Sequence, residues 1–398
     1  MDGNVDSIRT NTFSHNQIEF LDGIRGLMAL NVIICHFVVI YIPQMYFGRF
    51  AETYGGFLSL FATTPLSILV NGNIAVQYFF ILTGFLVGRS FFIKEYRPEQ
   101  ILNKASQRWL RLLPTVAGAT FFTWLTMTLN LQYHQIIAPD TMNPEYISAY
   151  CDFEPSLSSL LINAVIYPFI RFSEYIGPFW SVRYEFFGYI ISMLVAYICR
   201  NSKWRKLAYG VIALLLLSQL NVNYIGFILG IFVADLIFND RYDQLEPLYR
   251  GWIHNKTVVL FIFLVGLYLA SCPMYFATIY RFLERIPKIT TEIPRAVGMA
   301  MVLYALFHMP RLQKCLQHPI LLLMGRISFS TYAFHWPLML SLQAWLFYHL
   351  LPKTTYMTAA LLAFIITVPV IYIFSYCMWL LLEKRSWMRR LFKNKQTL

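Results

Sequence analysis

An arginine and a histidine stand eleven residues apart in the first long apolar segment of the chain, at Arg25 and His36. At 3.6 residues per turn, that spacing places both side chains on one face of a helix, roughly 16 Å apart along its axis, with Asp22 close to the same face. An ionisable residue inside a membrane helix indicates a functional site, and imidazole is well suited to proton transfer near neutral pH. The spacing therefore predicts a cation near the helix start and a general base near mid-membrane. The alternative role of His36 is a hydrogen bond to a neighbouring helix.

Two further arginines, Arg108 and Arg111, occur in the stretch RWLRLLP at the start of another apolar segment. Residues three apart share a face of a helix. Two guanidinium groups on one face can bind a phosphate or pyrophosphate bidentately. Ordinary anchoring by positive charge at the cytoplasmic face is the alternative.

The stretch GPFWSVRYE ends with a carboxylate at the entrance of a further apolar segment. Ser181 is expected to cap this helix and Trp180 to lie in the aromatic belt at the membrane interface. Glu185 then occupies the first turns, where an anion interacts favourably with the helix dipole. Once inside the membrane this carboxylate needs a partner, such as Arg183 or a histidine.

A polar stripe marks a late apolar segment, where Ser328, Tyr332 and His335 follow the spacing i, i+4, i+7. This spacing places them on one face, which we expect to face the interior of the helix bundle. His335 is predicted to be either a second acid–base or acceptor-binding group, or a group that hydrogen-bonds between helices. Pro337 predicts a kink. Glu383, followed by two basic residues, is interpreted as a structural partner of a base at the cytoplasmic interface.

The composition predicts an all-α polytopic membrane protein. Of the 398 residues, 58% are hydrophobic and only 13% are charged, whereas soluble domains carry about 25% charged residues. Several apolar stretches reach about 20 residues, the length that crosses a bilayer core. The predicted spans, about ten, are 24–46, 66–92, 112–131, 180–199, 206–220, 222–238, 257–272, 294–309, 319–350 and 355–383.

The distribution of charge predicts that both termini are cytoplasmic. With that orientation, roughly three-quarters of the 32 lysine and arginine residues fall on the inside. The net charge of +12 therefore reflects membrane topology and does not indicate nucleic-acid binding. The expected domains are a cytoplasmic segment 1–20, a membrane domain 21–387 and a basic cytoplasmic tail 388–398. The longest connection, 132–179, falls outside; Cys151 within it can form a disulfide with Cys272 if the two lie close. No spacing typical of a metal site is present.

Taken together, these motifs resemble those of the acyltransferase-3 family of membrane acyltransferases, from about Ile18 to about Trp387. The stretch FLDGIRGLMALNVIICHF is similar to the first-helix signature of that family, and VQYFFILTGFLVG, RWLRLLP, FWSVRYEFFGY and ISFSTYAFHWP resemble later signatures in the same order. A departure is Phe186, where many relatives carry a second acidic residue. The chain resembles stand-alone members, which lack a C-terminal esterase-like domain.

The resemblance implies a bacterial inner-membrane O-acyltransferase, which moves an acyl group, commonly acetyl, from cytoplasmic acyl-CoA to a hydroxyl of a surface carbohydrate such as O-antigen, capsule or exopolysaccharide. It implies no permanently bound cofactor. Our hypothesis assigns CoA phosphates to Arg108 and Arg111, the pantetheine or thioester region to Arg25, and proton transfer to His36. The predicted catalytic residues are His36, Arg25 and Glu185. The side chains expected toward the acceptor are Glu185, His335, Tyr332, Ser328 and Trp180, and the donors considered for the oxyanion are Tyr332, Ser328 and Arg25. Direct transfer and an acyl-enzyme both remain open, as do a small-molecule acceptor, an acyl shuttle for a separate partner, and a transporter.

Overall fold

The structure, a computed structural model, describes residues 18–218, 222–238, 255–287 and 289–384, which form helices and loops without a β-strand. The principal helices are α1 (Phe20–Tyr41), α2 (Gly72–Ile93), α3 (Pro98–Thr128), α4 (Trp180–Cys199), α5 (Arg205–Ser218), α6 (Ile225–Phe238), α7 (Lys256–Ala270), α8 (Glu292–Leu306), α9 (Ser328–Leu338) and α10 (Tyr356–Met378). The predicted tail 388–398 and most of the predicted N-terminal segment 1–20 lie outside the described residues. The chain is an all-α membrane protein.

Four helices in the described part of the chain are long and apolar enough to cross a membrane. They are Phe20–Tyr41, Gly72–Ile93, Gly177–Cys199 and Tyr356–Glu383, and a fifth span results if the sharply bent pair Glu292–Leu306 and Pro310–Leu316 counts as one. Helices α5 to α8 have only 14 or 15 residues. At 1.5 Å per residue each covers about 21–23 Å, less than the roughly 30 Å of a bilayer core. The ten predicted spans therefore stay a prediction.

Several predicted boundaries were wrong, and local signals explain the differences. The second span was predicted from residue 66, but Pro65–Leu69 is a 3-10 turn and α2 begins at Gly72. The side chain of Asn71 caps α2 by accepting a hydrogen bond from the backbone N–H of Asn73 at 3.1 Å. The third helix was predicted from residue 112 but begins at Pro98, because hydropathy locates the apolar part of a helix and misses its polar first turns.

The ninth predicted span, 319–350, is not one continuous helix. A short helix, Pro319–Arg326, ends before Ile327, and α9 begins at Ser328. The predicted distortion near Pro337 takes the form of a π-helical turn, Met339–Gln343, from which the chain continues as Ala344–Leu350. A proline cannot donate its backbone hydrogen bond, and a π turn accommodates that loss without ending the helix.

Helix α1 joins two apolar cores. Its first half packs with α2, α6 and α8 around buried Phe20 and Ile24. Its second half packs with α3, α9 and α10 around buried Phe37 and Val38. The polar side chains of α1 are therefore presented between two halves of the bundle.

Three long connections meet at one end of the bundle, which we call the loop end. The connection 43–71 bonds to the connection after α7, since the side chains of Ser67 and Asn71 donate to the backbone carbonyls of Ser271 and Cys272. The connection 132–179 folds into short helices and is tied to α1 by Asn143, whose amide donates to Val39 O at 2.9 Å. The loop end thus forms a cap over the end of α1.

Cys151 and Cys272 are both buried and free, so the disulfide considered from the sequence is not formed. The Cys151 thiol donates to the backbone carbonyl of Tyr175 at 3.3 Å. Cys272 belongs to a separate apolar cluster beside Tyr280. The two cysteines lie in the same cap but face different neighbours.

A fully buried arginine fixes the connection after α7. Arg295 donates to the carbonyls of Cys272 and Pro273 at 2.8 and 2.5 Å and lies 3.9 Å from Glu292. Its burial in the first turn of α8 shows that it holds the cap, including Met274, in place.

Candidate active site

A cavity of about 470 Å³ lies within the bundle, away from the loop end, and we call it the arginine cavity. Helices α1, α2, α3, α4 and α9 line it together with the turn after α10. Its charged lining residues are Arg25, Arg108, Arg111, Glu185 and Glu383. Three guanidinium groups and two carboxylates line it, and guanidinium groups can bind an anionic ligand bidentately.

The carboxylate of Glu185 pairs with Arg108. The two side chains are only 16% and 17% exposed, and Arg108 Nη2 donates to Glu185 Oε1. The Thr83 hydroxyl donates to the same oxygen at 2.6 Å. The partner expected from the sequence, Arg183 or a histidine, was wrong, because α3 brings Arg108 against α4 from a distant part of the chain.

The Arg108–Glu185 pair leaves hydrogen-bonding capacity unused. Arg108 Nε and Glu185 Oε2 are buried without a hydrogen-bond partner, and so is Arg25 Nε. Buried polar groups are normally paired, so unpaired groups around a cavity indicate a place for a polar ligand. The Arg108 guanidinium also lies 5.0 Å from the ring centroid of Tyr189, which fixes its plane.

Arg25 is positioned by the start of α1 and by a close helix contact. It pairs with Asp22 at 3.0 Å, which lies close to the same face of the helix as the sequence predicted. A Cβ atom at Gly325 would lie 1.9 Å from Asp22 O, and one at Gly23 would lie 1.9 Å from Leu316 O. Only glycine permits this approach, so these two residues set the depth at which Arg25 enters the cavity.

Glu383 is part of the arginine cavity, and sequence reasoning missed this. Its interpretation as a structural partner of a base at the cytoplasmic interface stays a prediction. Its carboxylate accepts hydrogen bonds from Ser330 at 2.5 Å and Thr115 at 3.4 Å. The signal available in the sequence was its place at the end of an apolar span.

A second cavity of about 250 Å³, the histidine cavity, lies toward the loop end. His36 lines it together with Trp180, Tyr146 and Met274. The Tyr146 hydroxyl is 3.3 Å from His36 Nδ1. Burial raises the pKa of Tyr146 well above its ordinary value, so this hydroxyl stays protonated. The contact between Tyr146 and His36 was not predictable, because Tyr146 belongs to the long connection.

His335 and Trp336 form the wall behind His36. The His36 ring lies 5.2 Å from the ring of His335 and 4.7 Å from that of Trp336. His335 Nδ1 is 2.7 Å from the carbonyl of Tyr332. A carbonyl only accepts, so Nδ1 carries the hydrogen and Nε2 of the neutral ring is an acceptor. Nε2 is buried without a partner. The hydrogen bonds of His335 are made within its own helix, not between helices.

Tyr332 connects α9 with the entrance of α4. Its hydroxyl donates to the carbonyl of Pro178 and lies 2.7 Å from Ser181 Oγ. Ser181 was expected to cap α4, but the preceding 3-10 turn Gly177–Phe179 places it inside the helix, where its hydroxyl reaches Tyr332 instead. Ser328, one turn earlier in α9, lines the arginine cavity, and its hydroxyl is buried without a partner.

The structure brings the sequence-predicted site residues into two neighbouring groups. The arginine cavity is lined by Arg25, Arg108, Arg111, Glu185, Ser328 and Tyr332, and the histidine cavity by His36, Trp180 and Tyr332. His335 lines neither cavity but contacts the ring of His36. Across the described ranges, no group of His, Cys, Asp and Glu side chains could hold a metal ion.

Comparison with known proteins identifies the family of the chain. No significant match was found among curated proteins or among solved structures. The family described as an acyltransferase domain matches residues 18–376, which is nearly the whole chain. The order of the motifs that carry the sequence resemblance, from Arg25 and His36 to His335, falls within that range. The chain therefore belongs to the acyltransferase-3 family of membrane acyltransferases.

Proposed function

We propose that the protein is a multi-pass O-acyltransferase of the bacterial inner membrane, which transfers an acyl group, acetyl by preference, from cytoplasmic acyl-CoA to a hydroxyl of a surface carbohydrate. The observation that carries this proposal is the pair of adjoining cavities, one lined by arginines and one by His36, between the two halves of the bundle. Phosphates require cations, and hydroxyl activation requires a base. The two cavities provide these groups side by side.

The donor is assigned to the arginine cavity. Arg108 and Arg111 stand three residues apart on α3, and both line the cavity together with Arg25. The unpaired Nε–H groups of Arg108 and Arg25 can each donate to an oxygen of the donor. We assign the CoA phosphates to Arg108 and Arg111, and the region of the thioester to Arg25.

The acceptor hydroxyl is assigned to the histidine cavity. His36 takes the proton of the hydroxyl as its oxygen attacks the thioester carbon. The new C–O bond forms, the C–S bond breaks, and the proton passes to the CoA thiolate, which leaves as the free thiol. Tyr146 orients the His36 ring through Nδ1, and the ring of His335 packs 5.2 Å from that of His36.

The test is the release of free CoA from acetyl-CoA by the purified protein, with and without a carbohydrate extract as acceptor. Loss of a general base costs about 10²–10⁴-fold in rate, so His36→Ala should lower release by at least about 100-fold. His349 is exposed and lines neither cavity, so His349→Ala is the matched control. Equal release by wild type and His36→Ala would contradict the proposal.

The same experiment separates the other candidates. A transporter would move a solute without consuming acetyl-CoA, and an acyl shuttle would transfer the acetyl group only when its separate partner is supplied. If the acceptor is a small molecule, adding that molecule would support CoA release when the carbohydrate extract does not.

A further inference from the structure

The arginine cavity and the histidine cavity share only two lining residues, Val76 of α2 and Tyr332 of α9. Every other described lining residue belongs to one cavity alone. These two side chains therefore mark the boundary at which the two cavities adjoin.

Tyr332 is fixed at this junction by contacts from both sides. Its hydroxyl donates to the carbonyl of Pro178, which lines the histidine cavity. It accepts from Ser181, which lies 2.7 Å away and lines the arginine cavity. The Tyr332 ring stacks on Phe179 at 6.3 Å between centroids. The side chain is thus held across the boundary by the turn that precedes α4.

We propose that Tyr332 is a specificity-determining residue that limits the donor to a short acyl group by closing the passage between the two cavities. This inference rests on the proposed function. A donor held by Arg108 and Arg111 presents its thioester toward the junction, so the acyl chain projects past Tyr332 into the smaller cavity, which the acceptor must also enter. A short acyl group fits in this space beside the acceptor, and a long one meets the tyrosine ring.

The test compares kcat/KM for acetyl-, butanoyl- and hexanoyl-CoA. One methylene in an apolar site changes discrimination by about 10-fold or more. Tyr332→Ala should therefore raise the hexanoyl-to-acetyl ratio at least about 10-fold. Val76→Ala widens the same junction from the opposite helix and should move the ratio in the same direction. This second variant keeps the proposal testable if Tyr332→Ala fails to fold.

Leu86→Ala is the matched control, because Leu86 lines the arginine cavity ten residues from Val76, about 15 Å along α2. It should affect the three donors alike. An unchanged ratio in Tyr332→Ala and Val76→Ala, or an equal shift in Leu86→Ala, would overturn the proposal. If Tyr332→Phe and Tyr332→Ala lose transfer from all donors equally, the hydroxyl is a donor to the oxyanion and the ring does not select the acyl group.

The proposed function and the inference fail in different ways. If the wild type releases CoA from none of the donors, or no faster than His36→Ala does, the proposed function is wrong. If acetyl transfer depends on His36 but the hexanoyl-to-acetyl ratio is unchanged in Tyr332→Ala and Val76→Ala, only the role of Tyr332 is wrong.

Discussion

Replacing Glu185 with glutamine should make the protein bind CoA more tightly. In the structure the Glu185 carboxylate forms an ion pair with the Arg108 guanidinium, which we assign to the donor phosphates. A phosphate that binds Arg108 has to displace this carboxylate or share the guanidinium with it. Glu185→Gln keeps the shape of the side chain and an oxygen that can accept from Thr83, but it removes the competing negative charge.

The size of the effect follows from the contacts. A hydrogen bond to a charged group contributes about 1.5–3 kcal/mol, and a neutral one about 0.5–1.5 kcal/mol. Glutamine still accepts a hydrogen bond from the charged Arg108 guanidinium but loses the negative charge of the acceptor, so the competition should weaken by about 1–2 kcal/mol. This corresponds to roughly 5- to 30-fold tighter binding. The low exposure of both side chains, 16% and 17%, limits screening by solvent.

Isothermal titration calorimetry of CoA with the purified protein measures this change. Glu174→Gln is the matched control, because Glu174 forms an ion pair with Arg171 in the loop and both side chains are about half exposed. The control should leave CoA affinity unchanged. Unchanged or weaker CoA binding by folded Glu185→Gln protein would refute the reasoning and would indicate that the phosphates do not bind at Arg108.

Two further predictions concern the packing that supports the site. Gly325→Ala places a Cβ atom 1.9 Å from Asp22 O, so it should lower the free energy of unfolding by about 1–3 kcal/mol, measured by thermal unfolding in detergent. The control Gly210→Ala places its Cβ atom in open space, with nothing within 4 Å, and should not lower the free energy of unfolding. Arg205→Met removes the guanidinium that donates to both oxygens of buried Asp235 at 2.7 and 2.9 Å and should cost about 3–5 kcal/mol. The double variant Arg205→Met/Asp235→Leu should recover most of that loss, and a double variant no more stable than the single one would contradict this account of the pair.

The sequence predicted the parts of the site that depend on spacing within one helix. The shared face of Arg25 and Asp22 and the inward position of His36 follow from helical periodicity along α1. The placement of Ser328 and Tyr332 at the cavities follows from the same periodicity along α9. The all-α membrane class followed from composition.

The contacts between distant segments could not be predicted. Glu185 meets Arg108 only because α3 and α4 pack side by side, and Tyr146 reaches His36 only because the long connection folds back over α1. Glu383 joins the arginine cavity through a turn at the end of α10, where sequence alone suggested a surface ion pair. These contacts depend on how the helices are arranged, and neither hydropathy nor spacing contains that information.

The most direct test of the central claim uses everted inner-membrane vesicles that carry the cell's own envelope carbohydrate. Radiolabelled acetyl-CoA is supplied outside, which is the former cytoplasmic face, and the label is measured in the carbohydrate inside. The account predicts that wild-type and His349→Ala vesicles label the carbohydrate, and that His36→Ala vesicles do not. Labelling that is the same with His36→Ala as with wild type, or no transfer by the wild type, would contradict it.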